Sequence, residues 1–180
     1  GVQFEDINNN SVIVNSVGLH GLKNPEINLN VGNSGTSIRL LTGILAAQRF
    51  STIITGDTSI CSRPMKRIII PLTAMGAKIT AVNDEYAPLQ ITGNQQLKSI
   101  IYHMPIASAQ VKSAILLASL YTFGPSSIVA PNVCRDHTEI MLKYFASEGY
   151  KTRKLNIPGD ISTAAFFIVG ASIVNKSDIT

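Results

Sequence analysis

The sequence has no tryptophan, and its aromatic share is only 6%. Charged residues are also scarce, at 14% of 180, whereas apolar residues reach 45%. That balance excludes a disordered chain, which combines few apolar residues with many charges. It leaves enough material for one ordinary domain with a real core. No apolar run approaches about 18 residues without polar interruption, so no membrane span is expected. The first residues, Gly1-Val2-Gln3-Phe4-Glu5-Asp6, lack the basic-then-apolar order of a signal peptide. Two cysteines, Cys61 and Cys134, are too few for a disulfide framework, and a reducing, cytoplasmic setting is expected. There is no initiator methionine, and the chain stops in the strand-like run Asp178-Ile179-Thr180. It reads as a piece of something longer.

Metal and nucleic-acid signals are missing too. His20, His103 and His137 stand alone, and no cysteine or histidine pair has ligand spacing, so no metal is expected. The net charge of +4 is mild and the bases are scattered, the longest cluster being Lys151-Thr152-Arg153-Lys154. Charge of this kind says little about specificity, and no nucleic-acid partner is expected. A small anion held by a few placed arginines and lysines fits better.

What is present is a repeat. Ile27 to Val31 alternates like a strand, and small polar residues Gly32 to Thr36 follow. Ser37 to Gln48 is predicted helical, with Ile38, Leu41, Ile44 and Leu45 on one face. A strand at Ser51 to Thr55, a turn at Gly56-Asp57 and a second helix follow. That helix has Pro64 in its first turn and ends near Gly76. The same order returns with a strand at Ser99 to Met104 and a turn at Pro105 to Ser108. A helix follows at Ala109 to Leu120, with Val111, Ala114, Ile115 and Ala118 on its apolar side. A strand at Ser126 to Ala130 leads to a helix opened by Arg135-Asp136-His137-Thr138-Glu139 and ending near Gly149. A third copy begins at Leu155 to Asp160, with Ile161 to Gly170 as its helix. Between Gly76 and Ala107 there is room for a hairpin with a strand at Leu89 to Gly93. Between Gly149 and Asp160 there is not. A hairpin near 146–150 is therefore expected to be absent from the chain as written.

Each copy sets small polar residues between a strand and a helix. The first N–H groups of a helix lack intrahelical partners, and its dipole favours negative charge. Gly35 would allow close approach to the backbone, and Ser34, Thr36 and Ser108 carry hydroxyls. Gly32 to Thr36 and Ala107 to Gln110 are thus candidate phosphate or carboxylate sites. The same residue types are also ordinary N-caps. Neither segment is a Gly-x-x-x-x-Gly-Lys-Ser/Thr loop or a dinucleotide fingerprint. Arg63 and Arg135 hold equivalent places in two copies, and a guanidinium fits carboxylate and phosphate. Lys112 is expected either at the surface or facing a ligand. Cys61 and Cys134 each lie near an arginine that could activate a thiol, or they are inert.

These residues resemble the 5-enolpyruvylshikimate-3-phosphate synthase family, in its bacterial second class. The resemblance rests on Gly32-Asn33-Ser34-Gly35-Thr36-Ser37-Ile38-Arg39, Arg63-Pro64-Met65 and Ser108-Ala109-Gln110-Val111-Lys112-Ser113-Ala114. Arg135-Asp136-His137-Thr138-Glu139 and Pro158-Gly159-Asp160-Ile161-Ser162 complete it. It implies an α/β fold of repeated βαβαββ units. They would form one incomplete lobe of the two-lobed, inside-out α/β barrel of the enolpyruvyl transferases. Residues 1–156 would be most of the shikimate-phosphate lobe, without its N-terminal segment, and 157–180 the crossover and start of the second lobe.

The implied activity moves the enolpyruvyl group of phosphoenolpyruvate to the 5-hydroxyl of shikimate 3-phosphate and releases phosphate. No cofactor is implied, and the complete protein would be a monomer. Gly35, Arg63 and Gln110 would bind phosphoenolpyruvate. Ser108, Ala109, Gln110 and Arg135 would bind shikimate 3-phosphate, with Gln110 bridging the two. No catalytic residue falls in these 180, because the family's acid–base Asp and Lys would follow Thr180. The chain alone is expected to be inactive, either silent or a weak anion binder. Ile60-Cys61-Ser62 stands where the family often has basic residues, and Cys134 where it often has Ser. The sister family, UDP-N-acetylglucosamine enolpyruvyl transferase, carries a reactive Cys where this chain has Thr58.

Overall fold

The computed structural model describes residues 1–8, 10–93, 95–147 and 154–178. The chain divides into two units, Gly1–Leu142 and Lys143–Thr180.

The first unit opens with an antiparallel hairpin, β1 (Gln3–Asn8) and β2 (Ser11–Asn15). All of β2 is exposed. With no buried face there is no period-two signal, and the sequence pattern did not mark this hairpin.

The first repeat follows as β3 (Leu29–Asn30), α1 (Gly35–Leu45), β4 (Thr52–Thr55), a short α2 (Thr58–Cys61), α3 (Lys66–Ala74), β5 (Lys78–Val82) and β6 (Tyr86–Thr92). The strands form one sheet in the order β3-β4-β6-β5. β3 and β4 run parallel across α1, and β6 is antiparallel to both neighbours. In β6, Ala87, Leu89 and Ile91 alternate inward, which buries one face. The β5–β6 turn puts Asn83 and Asp84 at φ of 52° and 58°, a left-handed pair that short polar side chains tolerate. This is the expected hairpin between Gly76 and Ala107.

The second copy runs β7 (Ile101–His103), α4 (Ala109–Ser119), β8 (Ser127–Val129) and α5 (His137–Ala146), with β7 and β8 parallel. The chain therefore repeats β-α-β-α, and the first copy carries the full βαβαββ order. In the second unit, α6 (Ile161–Ile173) is capped by Asp160, whose side chain accepts from Ser162 N–H. This is the helix expected in the third copy. The junction between Gly149 and Asp160 falls partly, through residue 153, outside the residues described, and so does most of the stretch 146–150 where the hairpin is expected to be missing.

The core lies where α1 and α3 meet the four-stranded sheet and α4 packs on both helices. Ile38, Ile54, Ile68, Leu72, Leu89, Ile91 and Ile115 are fully buried. Each such side chain contributes about 1.5–3 kcal/mol of transfer free energy. The four residues expected on the inner side of α4 are all buried.

Three local expectations are corrected. Leu41 is exposed, and the buried face of α1 is Ile38, Thr42, Gly43 and Leu45. A β-carbon on Gly43 would come within 2.3 Å of the Ala114 carbonyl oxygen, so the α1–α4 crossing selects a small-residue face. Pro64 lies ahead of its helix rather than in the first turn, because α3 begins at Lys66. The expected turn at Gly56-Asp57 leads directly into α2, where Asp57 accepts from Ile60 N–H and Ile60 is fully buried.

Candidate functional site

The loop between β3 and α1 is built by its own side chains. Ser34 is the N-cap of α1, its hydroxyl oxygen accepting from Ser37 N–H at 3.1 Å. Ser108 caps α4 in the same way, accepting from Val111 N–H at 3.4 Å. Capping is thus the role of both hydroxyl oxygens. It uses a lone pair and leaves the Ser108 hydroxyl proton free to donate outward.

Gln110, in the first turn of α4, joins the two helix starts. Its Oε1 accepts from Arg39 Nη1 at 3.0 Å, and its Nε2 donates to Thr36 Oγ1 at 2.9 Å. Arg39 also donates to the carbonyl oxygens of Gly35 and Pro64, at 3.2 Å and 3.4 Å.

Gly35 is buried at the centre of this cluster. A β-carbon there would stand 2.8 Å from Arg39 Nη1 and 3.2 Å from Arg63 Nη1. Two guanidinium groups therefore occupy the space that glycine leaves open. Burial, with Arg67 and Arg63 adding repulsion, holds the Arg39 guanidinium below its ordinary value. Among the described residues none of these three arginines pairs with a carboxylate. Guanidinium groups without a paired carboxylate, beside the first-turn N–H groups that the Ser34 cap does not use, can take an anion.

Arg63 comes from the segment between α2 and α3. The start of α3 is tied down where Met65 N–H donates to the Glu85 carbonyl in the β5–β6 turn, at 2.7 Å. Arg63 Nη2 donates to Asn33 Oδ1 at 2.9 Å and to Ser59 Oγ at 3.1 Å. Asn33 Nδ2 in turn donates to Asp57 Oδ2 at 2.7 Å.

The expected site residues thus fall into two groups. Gly35, Arg63 and Gln110 converge on the first turn of α1, while Ser108, Ala109 and Gln110 form the start of α4. Arg135 is exposed just ahead of α5 and makes no hydrogen bond or ion pair among the described residues. The start of α5 is fastened to α4 by Ser113–Thr138, with hydroxyls 2.6 Å apart, and by the Lys112–Glu139 ion pair.

Lys112 corrects the first half of its expectation. It is not at the surface, because its side chain is only 12% exposed and is paired with Glu139. Burial alone would lower its pKa. The Glu139 carboxylate outweighs that, with Cys134 adding, and holds the ammonium above its ordinary value.

Arg39, Asn33 and Asp57 received no individual role from the sequence. A signal for Arg39 existed. It lies one turn after Gly35, and helical side chains lean toward the N-terminus, which returns its guanidinium to the first turn. Among the described residues no three His, Cys, Asp or Glu side chains cluster as metal ligands, and no helix is long and apolar enough to cross a membrane.

The family model for EPSP synthase (3-phosphoshikimate 1-carboxyvinyltransferase) matches residues 1–180. A 3-phosphoshikimate 1-carboxyvinyltransferase of Alkalilimnicola ehrlichii is 49% identical over 197 residues, covering 100% of this chain and 44% of that protein. One from Thermoanaerobacter sp. is 50% identical over 194 residues, covering 100% of this chain and 45% of its own length. Both alignments are longer than this chain, so these relatives carry residues that it lacks. An EPSP synthase structure from Acinetobacter baumannii superposes with a TM-score of 0.83 at 48% identity, covering 96% of this chain and 42% of that one. The chain spans less than half the length of these relatives. The sister-family alternative is not favoured. With its whole length matched and its βαβα repeat carrying the signature segments, the chain belongs to the EPSP synthase family.

Proposed function

We propose that these residues form most of one substrate lobe of an enzyme that joins phosphoenolpyruvate to shikimate 3-phosphate. The shikimate 5-hydroxyl oxygen bonds to the enolpyruvyl carbon, the carbon–oxygen bond to phosphate breaks, and inorganic phosphate leaves. The observation that carries this reading is the convergence of Arg39 and Arg63 on Gly35, with Gln110 reaching in from α4. Both substrates are anions, and each charge-assisted hydrogen bond to them is worth about 1.5–3 kcal/mol. Gly35, Arg63 and Gln110 would hold phosphoenolpyruvate. Ser108 and Ala109, with Arg135, would hold shikimate 3-phosphate. This lobe would contribute positioning and charge stabilisation, and acid–base groups would come from the second lobe.

In this reading residues 1–156 belong to the shikimate-phosphate lobe and 157–180 start the crossover. A hairpin near 146–150 would be among the residues that the relatives carry and this chain lacks. The complete enzyme would be a cytoplasmic monomer without a cofactor, in keeping with two free cysteines. The test is phosphate release from the two substrates together. The complete enzyme should release it, and the 180-residue chain alone should not. Release from phosphoenolpyruvate that does not require shikimate 3-phosphate would overturn the assignment.

A further inference from the structure

We propose that Asp57, acting through Asn33, is a positioning residue that aims the Arg63 guanidinium at the first turn of α1. This rests on the reading of Arg63 as a phosphoenolpyruvate ligand. Three linked contacts carry it: Asn33 Nδ2 to Asp57 Oδ2 at 2.7 Å, Arg63 Nη2 to Asn33 Oδ1 at 2.9 Å, and Arg63 Nη2 to Ser59 Oγ at 3.1 Å.

A carboxamide has one donor end and one acceptor end. An ionised carboxylate only accepts, so Asp57 takes the nitrogen of Asn33 and turns its oxygen toward Arg63. Asp57 is kept ionised by Ile60 N–H first and by the Asn33 amide next, which hold its carboxyl below the usual range. Asp57 is itself fixed, since its N–H donates to the Gly32 carbonyl at 2.9 Å and its Oδ1 accepts from Ile60 N–H at 2.9 Å.

The consequence for Arg63 is a division of labour among its five protons. Both Nη2 protons are committed, to Asn33 and to Ser59. Nη1 and Nε make no hydrogen bond among the described residues, and Nη1 lies 3.2 Å from where a β-carbon on Gly35 would stand. The relay thus leaves the free edge of the guanidinium presented to an incoming anion. If the Asn33 amide reversed, its nitrogen would face Arg63, donor against donor, and the guanidinium would turn away.

The test uses the complete enzyme with Asp57→Asn and Asp57→Ser. Serine keeps the α2 cap but is too short and uncharged to hold Asn33. Both variants should raise KM for phosphoenolpyruvate about three- to tenfold, the net worth of one ordinary hydrogen bond, because Arg63 keeps its charge and loses only its aim. KM for shikimate 3-phosphate and kcat should stay within about twofold of wild type. An unchanged phosphoenolpyruvate KM, or equal rises for both substrates, overturns the relay while an active wild type leaves the functional reading intact. A crystal structure of Asp57→Asn reads the geometry without activity. Arg63 should leave Asn33 there, and a retained contact overturns the relay even if the wild-type enzyme releases no phosphate and the functional reading falls.

Discussion

Gln110 and Arg39 are hydrogen-bonded at 3.0 Å although 71 positions separate them in the chain. The contact joins the first turn of α4 to a guanidinium that has folded back over the first turn of α1. Two helix starts from successive repeats are thereby held as one surface, with Thr36 accepting from the other end of the same carboxamide.

Replacing Arg39 by methionine keeps the apolar stem and removes the guanidinium. Gln110 then loses its Arg39 contact, and the proposed anion site loses a charge. KM for phosphoenolpyruvate in the complete enzyme should rise about tenfold or more, the loss of one charge-assisted contact. The melting temperature should move by only a few degrees, because the guanidinium is partly exposed. Steady-state kinetics together with a thermal melt check both.

Arg63→Ala should weaken phosphoenolpyruvate far more than shikimate 3-phosphate, by about 10- to 100-fold against little change. Titration of each substrate separately reads the difference. Equal losses would contradict the assignment of Arg63.

Two glycines on one helix should behave in opposite ways. Alanine at Gly35 meets the mobile ends of Arg39 and Arg63, at 2.8 Å and 3.2 Å. The protein should fold with a nearly unchanged melting temperature and bind phosphoenolpyruvate weakly. Alanine at Gly43 meets the backbone carbonyl of Ala114 at 2.3 Å, and backbone cannot step aside. Overpacking costs about 1–3 kcal/mol there, more than the gain of about 1 kcal/mol in helix propensity. The melting temperature of Gly43→Ala should fall by several degrees, at about 2–4 °C per kcal/mol for a chain of this size.

Lys112→Met strands the Glu139 carboxylate, whose Oε2 already has no hydrogen-bond partner among the described residues. Breaking a fully buried pair costs about 3–5 kcal/mol, and the 28% exposure of Glu139 reduces that to about 2–3 kcal/mol. The pH dependence has a fixed sign. The folded-state pKa of Lys112 is raised, so the pair's contribution is complete below the ordinary lysine value of 10.5 and is lost as pH climbs through the folded value above it. Melting curves of wild type and Lys112→Met should therefore differ most at neutral pH and converge above that value. A constant gap across the range would show that the pair does not titrate as described.

Much of the site's frame was legible because it is local. Ser34 and Ser108 sit directly before apolar helical patterns, as caps do, and both cap. Val111, Ala114, Ile115 and Ala118 recur at helical spacing, and all four are buried. Leu41 shows the limit. It has the right period, but the face of α1 is chosen by what packs on it, and α4 packs on Gly43. Lys112 shows another. A lysine in an apolar helix has no partner within reach of its own segment, and only the docking of α5 brings Glu139 to it.

The amino-acid sequence alone determined the strand–helix alternation of the two main copies, the Ser34 and Ser108 caps, and the recurrence of small polar residues before α1 and α4. Those features depend on neighbours within a few positions. The tertiary structure decided which side chains of different copies meet: Gln110 with Arg39 and Thr36, Arg63 with Asn33, Lys112 with Glu139. These pairings depend on how closely two backbones cross. At Gly43 a missing side chain lets α4 come near enough for the two helix starts to share one surface.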